Sequence, residues 1–283
     1  MRKQISSEQF DQERALYHLC GADVDNCVFD GPADGESALK EARDVFVSNT
    51  RFSLRYPLWH VEGFHLQNCS MDERARAAIW YASGGRIENC NLGGIKALRE
   101  CRDISIAGST IESPEFGWKC RDITLEESSV TAEYLFLDSE NITLRNVHMK
   151  GKYSFQYIRG LVIENSVLDT KDAFWHAENI TVRNSTLKGE YLAWFSKGLT
   201  LINCHIIGTQ PLCYCQDLKL IDCTMEGTDL AFEYSDTEAT VIGHIDSVKN
   251  PRSGRIVADS VGEIIRGDEV MECTGEVILR KDL

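Results

Sequence analysis

ITLRNVHM at 142–149, LVIENSVL at 161–168, ITVRNSTL at 180–187 and LTLINCHI at 199–206 are one phrase written four times at intervals of 19 residues. The pattern is apolar-x-apolar-x-Asn-small-x-apolar, and its period-two alternation belongs to strands rather than helices. ISIAGSTI at 104 and ITLEESSV at 123 extend it upstream and LKLIDCTM at 218 downstream, so the 19-residue period holds from 104 to 218. Looser copies at VDNCVF (24), VFVSNTRF (45), FHLQNCSM (64) and IENCNL (87), and one near Thr240, bring the count to about 11–12.

Nineteen residues are too few for two packed helices, whereas three short strands separated by bends fit one coil of a solenoid. The sequence therefore predicts an all-β fold, a single-stranded parallel β-helix of about 11–12 coils of 19 residues. The spacing does not fix its hand, but parallel crossovers are overwhelmingly right-handed, so a right-handed coil is expected. The solenoid is expected over residues 23–243, with 1–22 as an N-terminal cap and 244–283 as a C-terminal cap, all one structural domain. The cap segment ISSEQFDQERALYHL reads either as a capped helical turn or as an entering strand. Asn26, Asn49, Asn68, Asn89, Asn146, Asn165, Asn184 and Asn203, followed by Asp222, fall at one bend, where Asn tolerates unusual dihedrals and stacks its amides from coil to coil.

With 43% hydrophobic and 26% charged residues, the chain has material for a core and no membrane-spanning stretch. A formal charge of −14 opposes nucleic acid and anionic membranes as partners. No secretory signal opens the sequence, so a cytoplasmic location is expected. The eleven cysteines read as reduced, buried small residues rather than a disulfide framework.

A fixed period lets the third side of each coil be read in columns. All five tryptophans, Trp59, Trp80, Trp118, Trp175 and Trp194, share one column. The column just before it is also apolar and includes Phe136, Phe155 and Phe174. Adjacent strand residues face opposite sides, so one of the two must lie outside. Alternation favours tryptophans inward and the Phe column outward, where Tyr134, Tyr153, Asp172 and Tyr191 flank it on one side and Tyr157, His176 and Tyr214 on the other. The opposite orientation exposes a tryptophan ladder. A charge ladder, Glu133, Lys152, Lys171 and Glu190, runs alongside.

The stretches GESALKE (35–41), YPLWH (56–60), ARAAIWY (75–81), KDAFWHAENITVRNSTLKGEYLAWFSKGLTL (171–201), QPLCYC (210–215) and DLAFEYS (229–235) are more specific than generic solenoid phrases. Over nearly its whole length the chain resembles, through them, a bacterial domain-of-unknown-function family of single-domain proteins of the pectate-lyase-like right-handed β-helix group. That resemblance implies the fold and supplies no catalytic residues. The Asn-Thr-Asp, Asp-Asp and His-Gly signatures of polygalacturonase-like hydrolases are absent from the sequence.

Three functions stay open. Sugar rings lie against aromatic side chains, so the aromatic face suits a saccharide, with Tyr134, Tyr153, Tyr157, Lys171, His176, Tyr191 and Tyr214 as ligand-binding candidates. A hydrolase or lyase needs catalytic carboxyls, for which Asp172 and Glu190 on neighbouring coils are the candidate pair, at about 5–9 Å for hydrolysis; the competing reading ties Glu190 to Lys171. The third is a structural or self-associating protein, a homo-oligomer formed through the exposed apolar stripe. Neither metal nor cofactor is expected: the seven histidines show no ligand spacing, stacked cysteines read as core, and no nucleotide motif is present.

Overall fold

The computed structural model describes residues 2–31 and 35–283. The chain divides into two compact units, Met1–Thr143 and Leu144–Leu283. Both are parallel β-solenoids with coils of about 19 residues, together about 14 turns, with almost no helix.

In the first unit, strands Cys20–Asp25, Arg43–Ser48, Glu62–Gln67, Ser83–Glu88, Arg102–Ala107 and Arg121–Glu126 pair in parallel register. Val24, Val47, Leu66, Ile87, Ile106 and Leu125 form one buried row on that side. Phe29, Phe52, Met71, Leu92 and Ile111 form the row on the second side, where Phe29 and Phe52 stack at 4.9 Å. The third side holds only two-residue strands, Leu58–Trp59, Ile79–Trp80 and Leu98–Arg99. Gly117 follows in the Phe column with φ 79°; a Cβ there would meet the Phe136 ring at 2.3 Å, so the missing side chain makes room for that ring.

In the second unit, Arg159–Glu164, Glu178–Arg183, Lys197–Ile202 and Leu218–Glu226 build the first side on Ile163, Val182, Leu201 and Leu220. His148–Lys152, Val167–Lys171, Thr186–Lys188 and His205–Ile207 build the second on Met149, Leu168, Leu187 and Ile206. Between the two sides sits the Asn bend. Asn165, Asn184 and Asn203 are left-handed at φ 49–51°, and their amides form a ladder, Asn203 donating to Asn184 at 2.9 Å and Asn184 to Asn165 at 3.4 Å. The side-chain bonds hold a conformation that Asn adopts at little cost.

The segments expected as terminal caps carry strands as well. Lys3–Ser6 pairs in parallel with Cys20–Asp25, which settles the first segment as an entering strand and not a helical turn. Asp236–Val241 pairs with Ser253–Ala258, which pairs with Glu276–Leu279. These coils are irregular in length, which matches the lost period in the sequence. Met1 and residues 32–34 lie outside the described residues.

The expected orientation of the third side is reversed. Phe136, Phe155 and Phe174 are fully buried, and all five tryptophans are half-buried. The alternation rule fails because in the second unit this side is a run of turns, not a strand. Every second residue is left-handed: Tyr153, Phe155 and Tyr157; Asp172, Phe174 and His176; Tyr191, Ala193 and Phe195; Gln210, Leu212 and Tyr214. Neighbours such as Ala173 and Phe174 are then both buried. Holding a non-glycine residue left-handed costs about 1–3 kcal/mol, which burial of a phenylalanine, about 1.5–3 kcal/mol, matches. Backbone bonds between coils add to it, Phe174 N–H donating to Ser154 O at 2.9 Å and Ala193 N–H to Ala173 O at 2.8 Å.

Candidate functional site

The reversal brings a different set of side chains to the surface of the second unit. Tyr153, Asp172 and Tyr191 occupy the same position on three successive coils, tied by Tyr153 N–H to Lys171 O at 2.7 Å and Asp172 N–H to Glu190 O at 3.0 Å. At a coil spacing of about 4.8 Å, the two tyrosine backbones stand roughly 10 Å apart with the shorter aspartate between them. Lys152 and Lys171 pair in register one residue earlier, and their ammonium groups lie 5.3 Å from the centroids of the Tyr153 and Tyr191 rings respectively.

Asp172 is expected as a partly exposed lining residue, but it is only 6% exposed. The short side chain on a left-handed residue is drawn under its larger neighbours. Among the described residues nothing donates a hydrogen bond to its carboxylate, and burial raises its pKa above the ordinary aspartate value, with Lys171 opposing and Glu190 reinforcing the shift. Glu190 is committed elsewhere: it meets Lys171 at 3.1 Å, and that pairing raises the Lys171 pKa. The two candidate carboxyls are thus in different states, one recessed and resisting ionisation, the other exposed and ion-paired.

Tyr157, His176 and Tyr214 join Phe195 in a separate ladder. Successive rings stack at 5.0, 5.1 and 4.8 Å with interplanar angles of 8°, 8° and 17°. Trp175 and Trp194 stack inside this ladder at 5.5 Å and 7°. Stacking uses up the faces of these rings and leaves edges to the solvent, although Tyr157 is 51% and Phe195 44% exposed. Tyr191 is different. Its ring lies at 76° to Trp194, so its face turns away from the stacking direction. The Trp175 and Trp194 indole N–H groups donate to the Tyr191 and Gln210 carbonyls at 2.7 and 2.8 Å, and Gln156 makes the same bond to Asp172 O at 3.1 Å. Gln156 and Trp175 thereby fix the left-handed backbone at Asp172 and Tyr191.

Tyr134 belongs to the first unit, where its carbonyl accepts the Trp118 indole N–H at 2.8 Å. Sequence reasoning favours burial of Trp175 and Trp194 because the tryptophan column reads as core under strand alternation; the opposite orientation is the one found. No side-chain pattern announces the left-handed residues that undo it. Among the described residues no three His, Cys, Asp or Glu side chains are grouped to hold a metal ion, and no helix is long and apolar enough to cross a membrane.

Comparison with known proteins adds the following. A family model described as a protein of unknown function (DUF3737) matches residues 3–278. No curated protein matches the chain. Among solved structures, a mannuronic acid specific polysaccharide family 6 lyase from human gut microbiota is similar at 9% identity, covering 98% of this chain and 87% of the other with a TM-score of 0.39. The surface adhesin PfbA of Streptococcus pneumoniae is similar at 8% identity, with 93% and 82% covered and a TM-score of 0.34. The A-module of an Azotobacter vinelandii mannuronan C-5 epimerase is similar at 8% identity, with 95% and 92% covered and a TM-score of 0.30. Function does not travel with a fold this repetitive.

Proposed function

Given that the chain belongs to the DUF3737 family, we propose that its second unit binds a neutral saccharide on the Tyr153, Asp172 and Tyr191 column. The observation that carries this reading is the Asp172 carboxyl, 6% exposed and without a hydrogen-bond donor among the described residues, recessed between two tyrosines. A recessed carboxyl bonded to no protein donor keeps its hydrogen-bonding capacity for a ligand. A ligand hydroxyl lowered between the rings satisfies it, while the Tyr191 face takes the apolar side of a sugar ring and Lys171 donates to a further hydroxyl.

Catalysis is the weaker reading of the same residues. Asp172, whose pKa burial raises, is shifted toward the character of a general acid, but Glu190 is held by Lys171 and is a poor partner for it. The proposal is tested by a saccharide array probed with the intact protein, followed by calorimetric titration of any glycan retained. Binding that disappears in Tyr153→Ala and Tyr191→Ala supports it. Binding that survives both removes the column from the account. A homo-oligomer reading attaches to the Tyr157, His176, Phe195 and Tyr214 edge ladder instead, and a solution mass of two chains that reverts to one in Phe195→Asp would favour it.

A further inference from the structure

The first unit carries an open recess of about 350 Å³ bordered by Tyr81, Glu62, Glu100, Arg102, Lys119 and Arg121. In a chain of net charge −14 it gathers three cations. Both bordering acids are engaged by cations that do not line the recess: Glu62 meets Arg43 at 3.6 Å and Glu100 meets Arg99 at 3.1 Å. Arg121 is held by Glu140 at 2.8 Å. Among the described residues, Arg102 and Lys119 have no acidic partner. Arg102 and Arg121 are also in-register neighbours on adjacent parallel strands, a placement in which like charges repel. Beside them Tyr81 is 42% exposed, one face stacked on Trp80 at 5.1 Å.

We propose that this recess is a binding site for a small sugar-like ring bearing an oxyanion, a carboxylate or a phosphate, with Arg102 and Lys119 taking the anion and Tyr81 contacting the ring. The anion relieves the repulsion between the two arginines, and guanidinium donors match planar or tetrahedral oxyanions with two parallel bonds. The site is independent of the saccharide column assigned to the second unit.

The test is calorimetric titration, at low salt, of the full chain carrying Tyr191→Ala, which removes the saccharide column of the second unit, with D-glucuronate, glucose 6-phosphate and glucose. At least one anion should bind, glucose should not, and affinity should fall as salt is raised. Arg102→Gln and Lys119→Gln, both at exposed positions, should each weaken binding about tenfold. Sugar binding that appears only when Tyr191 is present belongs to the second unit and not to this recess. Binding of glucuronate alone identifies a carboxylate site, and of glucose 6-phosphate alone a phosphate site. Equal binding of glucose, binding of neither anion, or indifference to both charge substitutions overturns the proposal.

Discussion

Phe155 and Phe174 stack inside the second unit, their ring centroids 5.3 Å apart at 15°, and both are fully buried. They belong to the column that strand alternation places outside, so their behaviour on substitution separates the two arrangements. Phe155→Ala should lower unfolding free energy in urea by about 3–5 kcal/mol, and Phe155→Asp should prevent folding. A folded Phe155→Asp protein of unchanged stability would return the column to the surface.

The tryptophans divide by the fate of their indole N–H. In Trp175 it donates to the Tyr191 carbonyl at 2.7 Å, whereas in Trp59 and Trp80 it is buried without a partner among the described residues. Replacement by Phe removes a similar ring area in each case. Trp175→Phe should therefore destabilise more than Trp80→Phe, by about 1 kcal/mol or more, because one substitution deletes a hydrogen bond and the other an unsatisfied donor. Paired urea denaturation curves check it, and equal losses would contradict it.

How much of this was legible from the sequence depends on the chemistry of each bend. Asn165, Asn184 and Asn203 announced their left-handed turn because Asn favours that conformation, and the 19-residue spacing delivered the parallel register. Phe155, Phe174, Tyr191 and Phe195 adopt the same dihedral region with no local preference for it; packing and inter-coil hydrogen bonds impose it. Local signals cannot report a conformation that tertiary context forces. The candidate column was accordingly half legible, its tyrosines and Asp172 marked but the aspartate's burial hidden. After Val241 the period is lost, so RIVADSVGEIIRG at 255–267 reads as strands without a coil register.

Asp172 should make stability depend on pH. Its folded-state pKa is raised above the ordinary 3.8 by burial, so the folded protein binds the proton more tightly than the unfolded chain. Stability then falls as pH rises from the unfolded value through the raised folded one, and neutral pH carries the full penalty of a buried charge. Asp172→Asn should raise the melting temperature at pH 7, and the gain should shrink toward pH 4. A gain that grows on acidification would mean that the carboxylate is stabilised in the folded state.

All eleven cysteines are free, nine of them buried, with Cys20 exposed and Cys273 half-buried. Burial raises the Cys215 thiol to about 11, well away from the reactive thiolate. Thiol titration without reductant should give one or two fast-reacting groups in the native protein and about eleven after denaturation. A denatured count near one would reveal disulfides.

The central claim, that a saccharide rests on the Tyr191 face above Asp172 and not on the ring edges of the neighbouring ladder, is tested most directly by titrating an oligosaccharide retained by the wild-type protein into Tyr191→Ala and Phe195→Ala side by side. The account predicts that Tyr191→Ala weakens binding by about tenfold or more while Phe195→Ala stays close to wild type. Loss of binding in Phe195→Ala with Tyr191→Ala unaffected, or no wild-type binding to any saccharide, would contradict it.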